Sequence, residues 1–392
     1  MKISIRKYLL YSSVFAIFTE AFFFHLIIDW KLLYLIILVN YFLLLRIKKL
    51  KFNIYFLLLL LGFLVHALTA NTLIDIPYRY AIAQLIGISI LGIYYYNFIP
   101  LYPLSQIKSV YSKMCLYVAI LGYPLYFLNI NVNDGRLQSI FTEPAHYAIV
   151  VIPACYYFFK EKKYWSFAAI FGTLILSNSS LGYIGCGLMF IVPNISLKRI
   201  SYLVCLLPVI IGIFIYIYQE YPFFKLRVEE TYESLNVINT GKFDNKTNLS
   251  SYALISNLYV AKNNIQDHPL GTGIGSHIHM HKEVYLKQMR PPQYIRTQNK
   301  HTINAPDANS LFTRIVSEMG IFGFLLIFVL LYLAFNVFQY KDMALAQGLF
   351  IYILLKLFRD GHYFPPEFFF FIWLLYYSLK EKTALNNNKP LP

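Results

Sequence analysis

Apolar runs close to the thickness of a bilayer follow one another along this chain, and one long polar stretch, 219–309, interrupts them. That alternation limits the fold more than any other feature. A segment inside lipid must satisfy its own backbone hydrogen bonds, so long apolar runs are helices. A membrane β-barrel would instead show alternating segments of about ten residues. Composition agrees, since only 14% of the 392 residues are charged and 58% are hydrophobic, against about a quarter charged in a soluble domain. The expected fold class is an all-α polytopic membrane protein.

Twelve spans are read, at about 8–28, 32–45, 52–70, 79–99, 111–129, 145–159, 164–177, 181–195, 200–218, 310–335, 343–358 and 364–379. Spans seven and eight are short and meet at a tight turn, Ser177 to Ser180. Charge tests the count. With a cytoplasmic N-terminus, the inner face receives Arg6, Lys7, Arg46, Lys48, Lys49, Lys51, Lys108, Lys160, Lys162, Lys163, Lys198, Arg199, Lys341, Lys380 and Lys382, among others. The short outer loops receive only Lys31, Arg79, Arg136 and Arg359, as the positive-inside rule requires. The chain therefore divides into nine spans (1–218), a large loop outside the cytoplasm (219–309), spans ten to twelve (310–380) and a cytoplasmic tail (381–392). Tyr8 to Ile28 is too long for a signal-peptide core and is read as a retained span. The formal charge of +15 is explained by topology, and no nucleic-acid motif accompanies it. All four cysteines lie in apolar segments, so no disulfide is expected.

Two helices are expected in the large loop, Tyr221 to Ile238 and Ser250 to Ile265, the second stopped at Asp267-His268-Pro269. Three polar constellations flank helix starts. Arg136 precedes Phe141-Thr142-Glu143-Pro144-Ala145-His146 at the sixth span, where Pro144 suits the first helical position and Thr142 or Glu143 the cap. Asp307-Ala308-Asn309-Ser310 opens the tenth span, with Arg314 and Glu318 spaced i,i+4 as either a structural pair or the edge of a wet cavity. Arg359-Asp360-Gly361-His362 precedes the twelfth, with Glu367 after it and Lys356 one turn earlier. All three spans run inward, so each presents a positive helix start at the outer interface. If neighbours, these ends with Arg136, Arg314 and Arg359 form an anion site. His277, His279 and His281 would share one face of a strand, but a metal is not expected there, and substrate contact or a solvated loop is preferred.

The stretch Gly135-Arg136 with Phe141-Thr142-Glu143-Pro144, the turn Asp267-His268-Pro269-Leu270-Gly271-Thr272-Gly273 and the helix from Asn309-Ser310 through Gly320 resemble motifs of the O-antigen polymerase (Wzy-type) family, related to the O-antigen ligases. Ala308 stands where ligases usually carry a histidine, which favours the polymerase. The resemblance implies a membrane-integrated, GT-C-like glycosyltransferase of the bacterial inner membrane, with its large loop periplasmic, independent of metal and cofactor. It implies transfer of a growing glycan from undecaprenyl diphosphate to the next lipid-linked repeat unit. A chain-length regulator and a flippase are candidate partners, besides membrane lipid. Departure of a diphosphate needs cations, for which Arg136 and Arg359 are favoured, with Arg290 and Arg296 in reserve; Arg314, His301 and Glu318 complete the expected substrate contacts. The acceptor hydroxyl needs a base, expected at Glu143, then His146 or Asp307. An O-antigen ligase and a flippase are the alternatives. A flippase would concentrate charge along mid-span positions, where this chain has chiefly Glu20, His25 and His66.

Overall fold

The computed structural model describes residues 4–194 except 20, 27 and 134, scattered positions between 211 and 232, and residues 236–387 except 366. Most of the ninth expected span, 200–218, and most of the first expected loop helix, 221–238, lie outside the described residues.

In chain order the longer helices are α1 (Ile5–Phe15), α2 (Leu32–Ile47), α3 (Ile54–Ile74), α4 (Arg79–Phe98), α5 (Leu104–Phe127), α6 (Pro144–Lys160), α7 (Tyr164–Leu176), α8 (Ser180–Ile191), α9 (Leu249–Asp267), α10 (Leu311–Met319), α11 (Ile321–Phe335), α12 (Ala344–Phe358) and α13 (Phe368–Asn387). Two small hairpins interrupt them: β1 (Phe23–Leu26) with β2 (Ile28–Lys31), and β3 (Val132–Asn133) with β4 (Arg136–Leu137). By length and composition, α3, α4 with its extension to Leu101, and α11 with its extension to Gln339 suit a membrane crossing. Only 17% of the apolar window of α3 and 22% of that of α11 is buried. Such apolar outward faces belong against lipid.

At the centre, α6 lies along α12. Gly348 permits the approach, since a Cβ there would fall 2.8 Å from Pro153 Cα. Thirteen of the 17 residues of α6 and 13 of the 15 of α12 are buried.

Two expected spans are corrected. The first is not one helix over 8–28: α1 runs through a 3₁₀ turn to Phe18, and a hairpin follows, pairing His25 with Asp29. Polar Glu20, His25 and Asp29 punctuate that apolar run. The tenth, 310–335, is two helices broken at Gly320, whose φ of 55° and ψ of −133° suit glycine. The break admits the glycine-rich turn after α9. Ile321 N donates to Pro269 O at 2.9 Å, and Gly273 N to Glu318 O at 2.8 Å.

The described part of the large loop packs against one end of the helices. Helix α9, capped by Asn248 Oδ1 accepting from Ser251 N, lies on α10. Tyr259, Val260, Met280, Tyr285 and Met289 form a small separate core with Ile76, between α3 and α4. His66 bonds Leu270 O across to α3. The far end of the bundle is where Lys382 pairs with Asp342, and where Lys108 faces Glu381, Asp342 and Glu161.

Candidate functional site

The segments entering α10 and α13 are bonded together. Asp360 N donates to Asn309 O at 3.2 Å, and a Cβ on Gly361 would fall 1.7 Å from Asp307 O. His146, in the first turn of α6, faces Asp360. With Asp360, His362 and Glu367 it lines a cavity of about 40 Å³, walled by Phe141 and Pro365. That volume suits ordered water rather than a larger molecule. The three helix starts expected to be neighbours therefore converge.

The floor is fixed by buried charge. Lys356 Nζ donates to Asp360 Oδ2 at 2.6 Å and to Asp360 O at 3.1 Å. Asp360 Oδ1 accepts from His362 N at 3.2 Å. Burial alone would raise the Asp360 carboxyl; Lys356, helped by His146 and His362, overrides this and holds it well below the usual carboxylate range. Tyr352 Oη donates to Glu367 Oε1 at 2.8 Å. Ser310 takes the cap of α10, its Oγ accepting from Thr313 N at 3.0 Å. Asp307 is thus released from capping and lies 3.8 Å from His362 Nε2. Ala308 and Asn309 hold φ of 53° and 60°, a left-handed pair costly outside glycine.

Arg314 and Glu318, expected at the substrate, are instead buried and committed to one another. Glu318 accepts from Arg314 Nε at 3.1 Å, Tyr363 Oη at 2.7 Å, Gly275 N at 2.7 Å and His277 N at 3.4 Å. Arg314 NH1 donates to Gly361 O at 2.9 Å, and its guanidinium stacks on Tyr363. The pair braces the pocket from behind. Arg136 is half-buried, its Nε 3.4 Å from Ser177 O at the α7–α8 turn, away from the cavity lining. Glu143 is the N-cap residue of α6, but its exposed side chain makes no capping bond. Arg359 is partly exposed at the end of α12. Arg290 and Arg296 are exposed on the loop, and His301 is half-buried there, its carbonyl accepting from Tyr252 Oη.

The histidine run is not a strand. His277 and His281 sit one helical turn apart on a short helical segment. His277 uses both ring nitrogens, on Ser317 Oγ and Asn257 Oδ1. Burial lowers its pKa far below the ordinary value and pushes that of His281 down to about 4, which favours the neutral form of both rings. Among the described residues, Asp307, Asp360 and His362 are the group with metal-ligand spacing, within 4.8 Å of one another. Both Asp360 oxygens are already engaged, one by the Lys356 ammonium, which a divalent ion would meet as a like charge.

Sequence reasoning left His362, Glu367 and Tyr363 out of the expected site. Lys356 and Asp360, spaced i,i+4, were the available signal for a charged floor.

Beneath the pocket an apolar groove of about 440 Å³ runs between α3, α11 and α13. Its wall passes from Phe56, Phe63 and Trp373 up to Leu311, Ile315 and Tyr363. A polar site beside an apolar groove matches a molecule with one polar and one apolar part. Residues 165–328, from α7 through most of α11, match the family model described as O-antigen ligase. The match spans less than half of the chain and, with the apolar helices, is consistent with a membrane protein similar to that family. No curated protein matches it.

Proposed function

We propose that the protein polymerises lipid-linked polysaccharide repeat units, moving the growing chain from undecaprenyl diphosphate to the next lipid-linked unit at the periplasmic face of the inner membrane. The observation carrying this reading is the convergence of the starts of α6, α10 and α13 on a polar pocket above an apolar groove. The groove takes part of the polyprenyl tail. Helix starts and the outer-loop arginines draw the diphosphate to the rim. Arg359 and Arg136 are assigned to the leaving oxygens, with Arg290 and Arg296 on the loop that closes over them. Glu143, His146 and Asp307 are the acceptor-side groups. The basic far end, with Lys108 and Lys382, faces the cytoplasm.

The family description favours a second reading, an O-antigen ligase with the same donor chemistry and a different acceptor. Glycan length decides between them. A strain lacking the protein is expected to carry one repeat unit on its lipid core; polymer stranded on the carrier would instead establish the ligase.

Arg136→Ala is expected to keep normal membrane abundance while long chains fall by roughly a hundredfold or more. A parental chain-length distribution would remove Arg136 from the site. Elongation by purified protein is expected to survive EDTA; loss restored by a divalent ion would reinstate the Asp307–Asp360–His362 group as a metal site.

A further inference from the structure

We infer that His362, oriented by Asp307, is the general base that deprotonates the acceptor hydroxyl. This rests on the glycosyl-transfer reading above. Geometry singles out His362 among the polar groups of the pocket. Glu367 and Asp360 are buried and already bonded, to Tyr352 and to Lys356. The His362 side chain is 51% exposed while also lining the cavity, so it spans mouth and interior with half its surface open. Its backbone is pinned. The amide N–H donates to Asp360 Oδ1, and the preceding glycine is wedged against Asp307 O. Its ring has a carboxylate partner, Asp307 Oδ2, 3.8 Å from Nε2, and catalytic contacts of this length commonly tighten only in the substrate complex. The Asp307 carboxylate is held in turn by the backbone, its Oδ1 accepting from Asn309 N at 3.2 Å.

With Nε2–H turned to Asp307, the Nδ1 lone pair faces the acceptor. The hydroxyl O–H bond breaks and its proton passes to Nδ1. The hydroxyl oxygen bonds the anomeric carbon as the bond from that carbon to the diphosphate oxygen breaks. The electron pair leaves with undecaprenyl diphosphate, and His362 then releases its proton to water. Asp307 is a positioning residue in this scheme.

The surrounding charges agree with a base that is neutral at rest. Loss of water against the cavity wall lowers the His362 pKa; Asp360 and Asp307 oppose this, and Arg314 and Lys356 add to it. His146 and Glu367 face the same cavity.

The test is in-vitro elongation of a purified lipid-linked repeat unit across pH, with membrane abundance measured in parallel. His362→Ala is expected to lower kcat by roughly a hundredfold with little change in KM, and imidazole in the buffer is expected to restore part of it. His362→Gln, which keeps size and polarity, is expected to be as slow. Asp307→Asn removes a charge that favours the imidazolium, so the acid limb of its pH–rate profile is expected to move to lower pH. If the parent elongates and both His362 variants elongate at parental rates, the base assignment falls and the transferase reading stands. If the parent extends no lipid-linked unit, both fall. A slow His362→Ala that imidazole does not rescue, with an unmoved pH profile in Asp307→Asn, would reduce the pair to a structural contact.

Discussion

Replacing Glu318 by alanine is expected to lower the stability of the protein by about 3–5 kcal/mol, enough to strip most of it from the membrane. Glu318 is the acceptor on which four donors from three segments meet: Arg314 on α10, Tyr363 before α13, and the Gly275 and His277 amides of the loop. Alanine leaves the Arg314 guanidinium without a counter-charge at 2% exposure, and the two loop amides lose their carboxylate. An unsatisfied buried group bears its full desolvation penalty, whereas removing both partners of a pair is far milder. The double variant Arg314→Met/Glu318→Leu should therefore recover much of the loss. Thermal unfolding in detergent, together with membrane abundance, measures both. A Glu318→Ala protein that melts within a degree or two of the parent would show that this hub is not holding the loop to the bundle.

The same hub shows where sequence reading stopped. Segment length and charge sufficed for the helices over 32–47, 54–74, 79–98 and 344–358, because lipid enforces apolar length and polar ends. Charge spacing pointed to Arg314–Glu318, leaving a structural pair and a cavity edge as alternatives. What separates these is the burial contributed by Tyr363 and Gly275, each more than forty residues away along the chain. The break at Gly320 was hidden for a related reason. A glycine inside an apolar run is neutral until another backbone, here Pro269 to Gly271, takes the space it leaves. The histidine run misled because alternate polar residues suit a strand, while the fold places His277 and His281 on one helical face. His362 stands in the Arg359–His362 constellation, but no feature of the sequence assigns it a role there. Its distinction is the contact with Asp307, fifty-five positions earlier.

Gly271→Ala and Gly320→Ala are each expected to destabilise the protein as severely as the loss of Glu318. Both glycines have positive φ, at 88° and 55°, where a Cβ costs roughly 1–2 kcal/mol. Steric collision adds more than this backbone strain. A Cβ on Gly271 would sit 2.4 Å from Glu318 O and 2.5 Å from Met319 C; one on Gly320 would sit 2.1 Å from Pro269 O. These are backbone atoms held by the bonds from Ile321 N to Pro269 O and from Gly273 N to Glu318 O, so no side chain can swing aside. Either alanine must push the turn off the α10–α11 break. That in turn drags Glu318 from Arg314 and Tyr363 and loosens the loop under His362. Gly62→Ala is the internal control. Gly62 lies within α3 with nothing within 4 Å of the new methyl, so helix propensity should leave that variant equal to the parent or more stable by up to about 1 kcal/mol. Protease resistance of the loop reports the difference directly. Cleavage between 236 and 309 should rise sharply in the Gly271 and Gly320 variants and stay at the parental rate in Gly62→Ala. Equal cleavage in all of them would mean that the turn and the break are neighbours without being locked.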